Sequence, residues 1–132
     1  MAVEGLVTLR SPYEPTETIA RLKAEIAARS MTIFAEIDHA AGAAAVGLTL
    51  CPLYLIIFGA AKGGTPLMQA AATVGIDLPL KLLVWRDASG ETQVAYNDPT
   101  WLAQRHGLGD AAGGPVAAMA GALSAIVAAA TA

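Results

Sequence analysis

From Ala111 to Ala132 the chain carries no charged side chain. A run of that length has two homes: the core of a bilayer, or an apolar surface on its own domain or a partner. The larger side chains decide between them. Val116, Met119, Leu123 and Ile126, with Val127 beside the last, recur at helical spacing on a background of alanine and glycine. That is one stripe on a helix, whereas a spanning helix is bulky and apolar all round. The expectation is a terminal helix seated on its own domain or on a partner subunit, with no membrane partner.

The remainder is a chain with a real but thin core. Of 132 residues, 55% are hydrophobic and 14% charged, which excludes an intrinsically disordered segment. Thirty are alanine and only 5% are aromatic, so packing must be close. The length fits one domain, here divided into an α+β body over residues 1–108 and a glycine joint with its terminal helix over 109–132. Eleven acids against eight bases give a net charge of −3 with no basic block, so nucleic acid is not an expected partner. Cys51 stands alone and no CxxC or CxxH spacing occurs, so neither a disulfide nor a metal site is expected. The opening Met1-Ala2-Val3-Glu4-Gly5 lacks a long apolar run, which points to a cytoplasmic protein.

Along the chain, Val3 to Leu9 reads as a strand and Thr16 to Arg29 as a helix, with Ile19, Leu22 and Ile26 on its apolar face. Met31 to Asp38 alternates, placing Met31, Ile33, Ala35 and Ile37 on one side and Phe34 on the other. A short helix follows over Ala40 to Val46, then short strands over Leu48 to Cys51 and Leu53 to Phe58. Gly59 to Gly64 reads as a loop and Thr65-Pro66 as the start of a helix, with Thr65 as its N-cap. Leu80 to Arg86 and Thr92 to Tyr96 form a hairpin across Asp87-Ala88-Ser89-Gly90. Asp98-Pro99 opens a short helix carrying Trp101 and Leu102. Short turns between strands favour an antiparallel sheet with helices mainly on one face. Leu83 and Trp85 then lie opposite Leu82 and Val84, and a symmetric dimer would cover them and Phe34.

Several motifs carry a resemblance. Ile37-Asp38-His39-Ala40-Ala41, Phe58-Gly59 through Thr65-Pro66-Leu67-Met68-Gln69-Ala70, Asp77-Leu78-Pro79-Leu80-Lys81 and Tyr96-Asn97-Asp98-Pro99 occur in order, and over residues 3 to 108 the chain resembles the domain of unknown function 302 family. The resemblance implies a TATA-binding-protein-like β-α-β4-α arrangement, usually found as a dimer, and no established reaction, substrate or cofactor. Related sequences tend to carry Asn-Pro after the Phe-Gly, where this chain has Ala60-Ala61.

Candidate chemistry is sparse. Lys62-Gly63-Gly64-Thr65 would let backbone N–H groups approach an anion at a helix start, with Lys62 adding charge. The order differs from a nucleotide P-loop, because the lysine precedes the glycines. The plainer alternative is a tight loop capped by Thr65. His39 is a possible ligand or acid–base group at a strand end, although Asp38 cannot orient it as a triad requires; a backbone-bonded histidine is the plainer alternative. His106 reads as a cap against a helix C-terminus. Asp77 could add a polar group near the Lys62 loop, and Cys51 reads as a buried, inert thiol. The favoured function is a cytoplasmic homodimer binding a small anionic or amphipathic ligand at Lys62, Gly63, Gly64 and Thr65, with His39 and Asp77 nearby. The alternatives are an enzyme using His39 as general acid or base with Asp77 or Asp98, and a protein-interaction module.

Overall fold

A computed structural model describes residues 2–132. In chain order it contains β1 (Leu6–Ser11), α1 (Pro15–Ala28), β2 (Thr32–Asp38), α2 (His39–Ala45), β3 (Leu53–Gly59), α3 (Ala61–Ala70), a 3-10 turn (Ala72–Ile76), β4 (Leu80–Arg86), β5 (Thr92–Asn97), α4 (Pro99–Arg105), a second 3-10 turn (Asp110–Ala112) and α5 (Gly113–Ala130). The strands form one sheet ordered β1-β5-β4-β3-β2, antiparallel throughout. This is the expected α+β architecture.

One face of the sheet makes the core. Ile56 and Phe58 of β3, Leu82 and Val84 of β4, and Val94 of β5 are fully buried with Leu22 and Ile26 of α1 and Leu123 and Ile126 of α5. The terminal stripe is therefore the buried one: Val116, Met119, Leu123, Ile126 and Val127 all face inward, and α5 packs on α1, α3 and α4. Asp110–Ala130 is long and apolar enough to cross a membrane by length and composition, but here its stripe is seated on the domain. Its last turn is held from α1's side of the molecule. Arg21 Nε donates to the Ala130 carbonyl at 2.7 Å, the Tyr13 hydroxyl donates to the Ala132 carbonyl at 2.5 Å, and the Arg21 guanidinium stacks 4.1 Å from the Tyr13 ring. A cation on the unbonded carbonyls of a helix C-terminus is favourable against the helix dipole.

Four local expectations are corrected. The first strand starts at Leu6 rather than Val3, because Gly5 turns the chain at φ 75° and Leu6 N–H bonds the Val3 carbonyl. Gly5 is required there: a Cβ would lie 2.3 Å from Trp101 Cδ2. Leu48 to Cys51 is not a strand, since Leu48 N–H bonds the Ala43 carbonyl and closes α2 instead. Cys51 is exposed rather than buried.

The fourth correction concerns β2. A bulge between Ile33 and Ala35 breaks the expected alternation. Ile33 stands opposite Phe58, on the helix side, and Ala35 opposite Ile57, on the other face. Phe34 thus leaves the position opposite Ile57 that an unbroken register would give it. Trp85, Leu83, Leu55 and Ile57 form the uncovered face, while Phe34 turns toward the rim beside α5.

Candidate functional site

The glycine-rich segment is helical from Ala61, four residues before the expected N-cap at Thr65. Gly63 and Gly64 N–H both bond the Ala60 carbonyl, forming the first turn, and Leu67 anchors the helix in the core. Thr65 and Pro66 therefore lie inside α3, and two of the amide groups expected to face a ligand are already bonded.

What the segment builds is a cavity. A volume of about 350 Å³ opens between the end of β3, the start of α3, the Leu78–Leu80 segment and α5, within the usual range for small-molecule sites. Met31, Phe34, Gly64, Met68, Leu78 and Met119 are among its lining residues, and Thr65 supplies the one polar side chain there. Three methionines from three separate parts of the chain give this wall a soft, adaptable surface. Gly64 leaves it open: a Cβ there would meet Leu78 Cδ1 and Met68 Cε at 3.7 Å, ordinary contact distance. Phe34 remains 54% exposed at the mouth, a large apolar ring presented to whatever enters.

The sequence-derived site residues divide accordingly. Gly63, Gly64 and Thr65 line the cavity; Lys62 is exposed on the first turn of α3, outside the wall. His39 is exposed at the start of α2, where Asp38 Oδ1 caps the helix by accepting from Ala41 N–H. It is not brought to Asp77 or Asp98. Asp98 caps α4, its Oδ1 accepting from Thr100 N–H at 2.9 Å. Among the described residues, no three His, Cys, Asp or Glu side chains are grouped to hold a metal.

Asp77 has other partners, which sequence spacing did not reveal. Its Oδ2 lies 2.5 Å from His106 Nε2, and Arg105 Nη1 donates to both carboxylate oxygens at 2.9 and 2.7 Å. His106 Nδ1 in turn lies 2.9 Å from Thr73 Oγ1. The His106 side chain is 7% exposed and that of Asp77 14%. Burial would raise the Asp77 carboxyl, but the His106 hydrogen bond and the Arg105 charge outweigh it and hold it below the usual range. The cluster pins α4 to the turn before β4, next to the Leu78–Pro79 wall of the cavity. His106 does terminate α4 as expected, but its ring serves this second purpose. Its partner is 29 residues away, and no short motif joins them.

A second polar tie braces the sheet edge. The Tyr54 hydroxyl donates to Glu36 Oε1 at 2.7 Å, and Lys23 of α1 reaches the same oxygen at 2.9 Å. The Tyr54 bond and then Lys23 lower the Glu36 carboxyl, while Glu36 and burial push the Tyr54 phenol up to about 12.

Residues 7–126 match the family described as "Domain of unknown function DUF302". The chain belongs to that family. It is 50% identical over 105 residues to "Fluoride-specific ion channel FluC 1" of Brucella suis, and equally to "FluC 1" of Brucella abortus and "FluC 2" of Brucella melitensis. The match takes in 80% of this chain but 41% of the first relative and 39% of the other two, so the chain spans about two-fifths of their length. The crystal structure of an uncharacterized conserved DUF302 protein from Bacillus stearothermophilus superposes with a TM-score of 0.84 at 20% identity, covering 96% of this chain and 98% of that one. That likeness shows the DUF302 fold.

The Asp77 cluster has a measurable acid signature. A carboxyl lowered in the folded state contributes stability that is complete above its unfolded pKa, about 3.9, and is lost as pH falls through the lower folded value. Asp77→Asn should therefore cost about 1.5–3 kcal/mol at pH 7, the worth of a charged hydrogen bond. The gap between variant and wild type should close as pH falls below the ordinary carboxylate range. Urea unfolding at a series of pH values measures both, and a gap unchanged in acid would contradict the assignment.

Proposed function

We propose that this DUF302 domain is a homodimer that binds a small amphipathic molecule, its apolar part in the β3–α3 cavity. The observation that carries the reading is the wall itself: methionine, phenylalanine and leucine side chains with a single hydroxyl at Thr65. Such a surface gains from apolar area removed from water, about 25 cal/mol per Å². It offers little to a compact, strongly hydrated ion, which needs several donors to replace its water. Fluoride, the ion in the Brucella relatives' names, is thus a poor match for this wall. A headgroup of negative charge would find Lys62 exposed on the first turn of α3, outside the cavity, where the helix dipole adds to its attraction.

The dimer reading rests on exposed surface. A monomer of 13.4 kDa should expose about 6,500 Å², whereas this chain exposes 7242 Å². The chain thus leaves more surface open than an average monomer of its mass. Much exposed apolar surface falls on one stretch: Ile37, Val46, Leu48 and Leu50 are open, and α2 between them has no buried residue. A seven-residue helix is too short to hold alone in water, so a second copy over this stretch supplies its missing support.

Two outcomes follow. Decanoate should raise the melting temperature in a saturable manner, and Gly64→Leu, which fills the cavity without a backbone clash, should abolish the shift while leaving the unliganded fold intact. An undiminished shift in Gly64→Leu would remove the cavity as the site. Sedimentation equilibrium at micromolar concentration should return a dimer mass, and Leu48→Glu with Leu50→Glu should return the monomer. A monomeric wild type would overturn the quaternary reading.

A further inference from the structure

We propose that Thr73, His106 and Asp77 form a nucleophilic array that transfers acyl groups from carboxylic esters to the Thr73 hydroxyl. This goes beyond ligand binding in the cavity and depends on no feature of it. The three side chains come from the 3-10 turn before β4 and the end of α4, and they are linked in one line: Thr73 Oγ1 to His106 Nδ1 at 2.9 Å, His106 Nε2 to Asp77 Oδ2 at 2.5 Å. A hydroxyl within reach of a base, and that base oriented by a third group, is the arrangement that nucleophilic catalysis requires.

The direction of each bond follows from the chemistry of its ends. An ionised carboxylate only accepts, and Arg105 Nη1 holds Asp77 in that form by donating to both its oxygens. The His106 proton therefore sits on Nε2, facing Asp77. In the neutral ring Nδ1 is then left with its lone pair, and Thr73 O–H donates to it. That is the tautomer of a general base, fixed before any substrate arrives. The ring is buried and cannot swing away, while Thr73 is exposed and open to an ester from solvent.

The step balances as follows. Thr73 Oγ1 attacks the acyl carbon and forms a C–O bond while its proton passes to His106 Nδ1. Asp77 stabilises the imidazolium so formed. The tetrahedral adduct collapses, the bond to the ester's alcohol oxygen breaks, and that oxygen takes the proton from Nδ1. An acyl-Thr73 ester and a free alcohol result. Water repeats the sequence on the acyl-threonine, releasing the carboxylic acid and restoring the hydroxyl. No electron acceptor or donor is needed.

The test uses the whole chain and p-nitrophenyl acetate, with release of p-nitrophenolate followed by absorbance and the acetylated residue located by peptide mass mapping. The mapping separates Thr73 from adventitious acetylation at the exposed Cys51 or at lysines. The expected result is an acetyl group on Thr73 in the wild type, retained in Thr73→Ser. His106→Gln should slow Thr73 acetylation about 100-fold or more, the usual contribution of a general base. Thr73→Val, an exposed and nearly isosteric change, should keep the fold and lose the labelled peptide, which guards against His106→Gln simply failing to fold. A wild type that shows neither an acetyl group on Thr73 nor p-nitrophenolate release that Thr73→Val abolishes, or His106→Gln acetylated at Thr73 at the wild-type rate, would overturn the proposal. Neither result bears on decanoate binding, so the array and the cavity fail separately.

Discussion

The seam between the sheet and its two principal helices organises this molecule. Ile56, Phe58, Leu82, Val84 and Val94 present one continuous apolar face, and Leu22, Ile26, Leu123 and Ile126 close over it. The apolar stripe of α5 seats a helix with no charged residue after Asp110 on α1, α3 and α4. The C-terminal end of that helix is then fixed by Arg21 and Tyr13.

The cavity is where this seam runs out. Past Phe58 the strand ends at Gly59, α3 starts at once, and the β2 bulge turns Phe34 outward from the pairing position it would otherwise hold. The space between is left to methionines, which fill irregular volume without fixing it. The polar cluster around Asp77 adjoins the Leu78–Pro79 wall in sequence. Met68 marks how near they are: it lines the cavity, and its Sδ lies 3.5 Å from where a Cβ on Gly75 would be. An apolar chamber and a preoriented hydrogen-bond array thus share one wall of a small domain.

Much of the fold was legible because its signals are local. The stripe on α5, the apolar face of α1 and the Asp87–Gly90 hairpin follow from spacing alone. What could not be read arises from contacts across the chain. Met31, Ile33, Ala35 and Ile37 alternate without a flaw, so nothing in β2 announces a bulge; it comes from pairing with β3. Lys62-Gly63-Gly64-Thr65-Pro66 has the composition of a loop, yet burial of Leu67 and the bonds to the Ala60 carbonyl hold it helical. Gly63, Gly64 and Thr65 do line the cavity, but its apolar character was not legible, since Met31 and Met119 lie far off in sequence. The links of His106 to Asp77 and Thr73 were missed for the same reason.

Occupancy of the methionine-lined chamber is the property on which ligand binding by this domain turns. Methyl NMR of protein labelled with 13C at the methionine methyls, with Met31, Met68 and Met119 identified by substitution to leucine, can observe it during addition of an alkyl carboxylate. Saturable shifts of all three resonances, with a common midpoint, are the predicted result. Resonances that stay in place at concentrations that saturate protein elsewhere would show that the chamber is not the binding site.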